Sequence, residues 1–177
     1  MESTARTGGW PRNSIEEVRE WADRAGADVQ EMEQIRVVAL SRAEDRRLPA
    51  GLRKQWAKLS LQVNTRMHGD GPWDQARMAA QNFWLRTRMI EEFGPDPDDA
   101  DWDADAIASG IVNAVVLTPQ QARDLSVRWQ DQPIEQIGYL RRVKNVTAPF
   151  GRLQHHLRPG PLHELALAWL SVRKVLP

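Results

Sequence analysis

Apolar residues recur at three- and four-residue intervals through most of this 177-residue chain, and no useful stretch alternates with period two. That spacing lays one apolar stripe along a helix, so the chain is expected to be all-α with no sheet. Ile15, Val18, Ala22, Ala25, Val29 and Met32 begin a stripe that runs on through Ile35, Val38 and Ala39 until Pro49. This predicts a long helical segment opened by Asn13 or Ser14, with Glu16 and Glu17 where the helix dipole favours acids. Gly26 marks a kink or break in it. Leu52, Trp56, Leu59, Val63 and Met67 predict a second helix over 50–67, ended by the His68-Gly69-Asp70-Gly71-Pro72 loop. Trp73, Ala76, Ala80, Phe83, Thr87 and Ile90 predict a third over 73–93.

Beyond the Gly94-Pro95-Asp96-Pro97 break the elements shorten. Asp103 is the expected N-cap of a helix ending near Leu117, with Trp102 and Ile107 placed as a hydrophobic staple. Thr118-Pro119-Gln120-Gln121 combines an N-cap threonine, proline at the first helical position and glutamine at the third. Pro133 starts a helix carrying Ile134, Ile137, Leu140 and Val143, and Thr147-Ala148-Pro149 starts a short one with Phe150, Leu153 and Leu157. Leu162, Leu165, Trp169, Val172 and Leu176 line the terminal helix. The expectation is an all-α bundle of about seven helices, a long N-terminal helical hairpin plus a C-terminal cluster of shorter helices. Its domains read as a flexible tail (1–12), an N-terminal bundle (13–93), an acidic loop (94–105) and a C-terminal subdomain (106–177) on the same core.

Charge adds what periodicity cannot. The net charge is zero, yet residues 1–90 carry 15 bases and 12 acids, residues 91–122 carry eight acids and no base, and residues 123–177 carry nine bases and four acids. A basic C-terminal third points toward a polyanion, and the acidic belt before it either screens that block or repels the same partner. Arginine outnumbers lysine 20 to 4, which suits phosphate binding but also suits an arginine- and alanine-rich composition spread along almost every helix. With no cysteine, disulfides, thiol nucleophiles and Cys-ligated zinc are excluded. The N-terminal residues show no secretion signal and no apolar run is long enough to span a bilayer, so a cytoplasmic location away from membranes is expected.

Catalytic signatures are sparse, and no cofactor is expected. No phosphate loop, serine elbow or H-E-x-x-H motif occurs. Asp101, Asp103 and Asp105 match the first three positions of a calcium loop, but Ala106 and Val112 stand where its glycine and bidentate glutamate belong. His155 and His156 are adjacent and point about 100° apart on a helix. His68, Asp70 and Asp74 form the loose cluster that a metal site or helical enzyme would use. Six tryptophans, Trp21, Trp56, Trp73, Trp84, Trp129 and Trp169, fall on or beside apolar faces, where core packing is expected and an aromatic interface is the alternative.

Two capped helices meeting at Gln130-Asp131-Gln132, the second ending in Arg141, Arg142 and Lys144, match the outline of a helix-turn-helix in part: Ser126 and Gln130 stand where alanine and glycine are usual and Gln136 where an apolar residue belongs, and two bundle helices explain the same pattern. Leu117-Thr-Pro-Gln-Gln-Ala-Arg-Asp-Leu125, followed by Val146-Thr-Ala-Pro-Phe-Gly-Arg-Leu153, resembles the C-terminal helical units of bacterial helix-turn-helix replication and regulatory proteins. The resemblance covers about a fifth of the chain and implies a DNA-associated setting. The leading expectation is therefore a regulatory or replication-accessory protein touching DNA or a DNA-bound partner. Arg141, Arg142, Lys144 and Arg152 are the candidate phosphate-binding residues. A protein-interaction module or homo-oligomer built on tryptophan-rich faces is the alternative.

Overall fold

The computed structural model describes residues 14–26, 28–69, 71–129 and 134–177, apart from the side chains of 72, 73 and 134. The expected tail (1–12), Asp70, the helix start at Pro133 and the 130–132 junction lie outside the described residues, as does the side chain of Trp73. Among the described residues the chain is all-helical, an α-helical bundle protein without a strand. It divides into two compact units, Met1–Met67 and His68–Pro177. The sequence pattern placed the subdomain boundary at Gly94–Pro97; the division falls instead at the glycine-proline loop, and the third expected helix belongs to the C-terminal unit.

The first unit holds α1 (Ile15–Ala25), α2 (Val29–Glu44) and α3 (Ala50–Met67). Ser14 opens α1 with a reciprocal capping box: its hydroxyl accepts from the Glu17 N–H at 3.2 Å, and its own N–H donates to the Glu17 carboxylate at 2.8 Å. The long segment breaks where glycine allows it. Gly26 sits at φ 58°, and Asp28 then caps α2 through the N–H groups of Gln30 and Glu31. α2 and α3 form the tightest pairing in this unit, with α1 against both. Val18, Met32, Ile35, Trp56 and Val63 fill its interior. Arg53, 5% exposed, donates from Nε to the Ala43 carbonyl at 2.7 Å, placing a cation at the C-terminal end of α2, where the dipole favours it.

The second unit is organised around α4 (Pro72–Phe93). Gly71 and Pro72 start it, and α5 (Ala104–Ala114), α7 (Ile134–Val146) and the single-turn α8 (Phe150–Leu153) pack against it. Gly110 is what lets α5 approach: a β-carbon there would stand 3.1 Å from the buried Phe83 ring. α9 (Pro161–Val172) packs on α5, α6 (Pro119–Arg128) and α8. Asp103 caps α5 through the N–H groups of Asp105 and Ala106, and Trp102 and Ile107 are buried beside it, as the staple expects. Thr118 and Gln121 form the second capping box, at 3.2 and 2.8 Å. α5 stops at Ala114, three residues short of the expected Leu117, because Val115 turns inward and donates to the Val112 carbonyl. The acidic loop is tied back by the Asp96 N–H, which donates to the Trp102 carbonyl at 2.9 Å.

Candidate nucleic-acid interface

α7 carries three of the four candidate phosphate-binding residues, and its amphipathic register separates them. Leu140 and Val143 turn into the core, which leaves Arg141 exposed, with no partner among the described residues. Arg142 is half-buried over the Tyr139 ring, its Cζ 5.4 Å from the centroid. Burial pushes its guanidinium below the ordinary arginine value, offset in part by Tyr139. Lys144 points to the chain end: Nζ donates to the Leu176 carbonyl at 2.7 Å, while the Lys144 carbonyl accepts from Arg173 Nε at 3.1 Å. Lys144 thus serves a clasp that holds the last residues against α7. Ser126 of α6 completes it by donating to the Val175 carbonyl at 2.7 Å.

Arg152, on α8, stands apart from those three. Its Nε lies 3.1 Å from Glu91, and its Cζ lies 5.8 Å from the centroid of Trp84 on α4. Arg88 approaches the same indole at 5.2 Å. Trp84, Arg88 and Glu91 are spaced four and three apart, so α4 presents them as one stripe. That spacing was readable in the sequence; its meeting with Arg152 depends on α8 folding back onto α4.

The charge blocks meet as well. Glu91 and Asp105 belong to the acidic stretch, and they hold Arg152 and Arg158 of the basic one. Asp105 also accepts from the Arg158 N–H and raises the pKa of its guanidinium. Asp101 pairs with Arg86 at 2.8 Å. The belt therefore screens part of the basic third inside the same unit. All these pairs are partly exposed, so water and salt leave each of them only a small share in stability.

The carboxylates of the calcium-like triplet are all engaged within the fold, since Asp101 and Asp105 hold arginines and Asp103 caps α5. Among the described residues no group of three or more His, Asp or Glu side chains is placed to hold a metal ion. Of the loop cluster, His68 is half-buried and Asp74 exposed, the latter beside Gly69 and Gly71, while Asp70 lies outside the described residues. Trp56, Trp102 and Trp169 are core residues at 2%, 1% and 1% exposure. Trp21 donates to Glu31, and Trp129 meets Tyr139 edge-on at 6.4 Å, near the junction of the two helices read as a helix-turn-helix. In that pair α6 has its main packing on α9 and α7 on α4.

Compared with models of known protein families, with curated proteins and with solved structures, the chain matches none. No helix among the described residues is long and apolar enough to cross a membrane.

Proposed function

We propose that this protein is a DNA-associated regulatory or replication-accessory protein that touches nucleic acid, or a partner on it, through its C-terminal unit. One observation carries the reading: Arg141 is exposed without a partner among the described residues, on a helix that packs against α4 beside the Arg152-bearing α8. Arginine there offers a planar fork for phosphate oxygens with no internal bond to break. The helix-turn-helix likeness of residues 117–153 supports the same setting, and the Trp129–Tyr139 pair links the two helices concerned. The roles of the other three bases divide. Arg142 and Arg152 can reach outward at some cost in internal interactions, and Lys144 is committed to the C-terminal clasp.

The test is duplex DNA binding, measured by anisotropy from low to moderate salt, for the wild type and the Arg141→Ala/Arg142→Ala double mutant. Binding should weaken with salt, and each phosphate left without its arginine should flatten the log–log slope by about 0.9. No binding of duplex or single-stranded nucleic acid at low salt, or binding indifferent to both salt and mutation, defeats the proposal.

A second reading has its own observation. Val127, Leu167 and Val175 are 65%, 43% and 55% exposed, and α6 and α9, which carry the first two, pack together. They suit self-association through an apolar face. Sedimentation showing an oligomer that persists in high salt would favour it over nucleic-acid binding.

A further inference from the structure

Among the described tryptophans, Trp84 is the exposed one. Three others are core residues, whereas Trp84 is 39% exposed with two guanidiniums at its ring. An indole left in water forgoes the burial its size would reward, and exposed aromatics flanked by arginine are characteristic of recognition surfaces. We propose that Trp84, Arg88 and Arg152 form a binding site for single-stranded nucleic acid, a base stacking on the indole and the guanidiniums taking the neighbouring phosphate. This deepens the nucleic-acid reading above and rests on it.

The chemistry selects that ligand over others. Every base has a π-face, so an indole serves as a sequence-tolerant platform, but only where the base is not already stacked in a duplex. Arginine both stacks on rings and binds phosphate in a fork. Arg152 is 38% exposed at its side chain, so it can move from the ring to a phosphate while a base takes its place. An acidic peptide would engage the arginines and leave the indole unused. Arg77 lies seven residues before Trp84 on the exposed side of α4 and extends the basic track.

Glu91 is the informative neighbour. At 3.1 Å from Arg152 it holds the guanidinium in place and competes with a phosphate for it. Removing its charge should therefore strengthen binding, the opposite of what losing a merely structural ion pair would do.

The experiment compares a labelled oligothymidylate, the matched duplex and a polyglutamate peptide against the full chain and its Trp84→Ala, Trp84→Phe, Arg88→Ala/Arg152→Ala and Glu91→Gln variants. Circular dichroism melting confirms that each variant folds. The single strand should bind more tightly than the duplex or the peptide. Trp84→Ala should weaken it about tenfold, with Trp84→Phe retaining most of the affinity. The double arginine variant should flatten its salt slope by about 0.7 for each phosphate no longer neutralised, and Glu91→Gln should tighten binding. Single-strand binding that ignores Trp84→Ala, a duplex preference indifferent to Trp84, or equal binding of polyglutamate overturns the stacking site. The first two outcomes leave the nucleic-acid reading standing. Absence of binding to any nucleic acid overturns both.

Discussion

At the scale of single residues, backbone conformation and burial decide which substitutions matter. Gly26 adopts φ 58° and ψ −114°, backbone that a side chain with a β-carbon rarely adopts, and it is this turn that separates α1 from α2. Gly26→Ala should cost about 1–2 kcal/mol, strain outweighing the smaller gain from stiffening the unfolded chain. Urea denaturation reads this as a lower midpoint, and an unchanged or raised midpoint would contradict it. The glycine itself was visible as an interruption of the stripe, although the apolar spacing runs straight through it. Tryptophan shows the limit of pattern reading. Trp56 and Trp169 lie on their helices' apolar stripes and are buried, while Trp84, one position beyond the buried Phe83, is turned toward solvent and arginine.

Helix starts were legible because their bonds are local. Ser14 with Glu17, and Thr118 with Gln121, close their capping boxes three residues apart, and Asp103 reaches only to residues 105 and 106. Thr118→Ala and Asp103→Ala should each lower stability by about 1 kcal/mol, seen as a fall in thermal midpoint with helix content largely kept. No change in either would mean that these ends are held by packing instead. Helix ends draw on distant groups and were less legible. The last turn of α2 is served by Arg53 from the next helix, and α5 ends early because Val115 finds a place in the core. Neither partner is implied by spacing.

For the molecule as a whole, the segregated charges are the feature that folding reinterprets. The acidic stretch is built into the fold: Asp103 caps α5, and Asp101, Glu91 and Asp105 hold Arg86, Arg152 and Arg158. Millimolar calcium should accordingly leave the melting temperature where magnesium leaves it. A rise specific to calcium would show that the triplet can abandon those bonds for an ion.

The amino-acid sequence by itself determined the all-helical class, most helix starts and the breaks at glycine and proline, because these depend on periodicity and on bonds spanning three or four residues. It also showed where charge accumulates. Tertiary structure decided the rest. It gave α4 to the C-terminal unit, turned Lys144 to the Leu176 carbonyl and set Arg152 between Glu91 and Trp84. Those partners are brought together by the packing of α7 and α8 on α4 and by the return of the chain end, long-range interactions that local spacing does not specify. An arginine's availability depends on which carboxylate, carbonyl or ring the fold sets beside it.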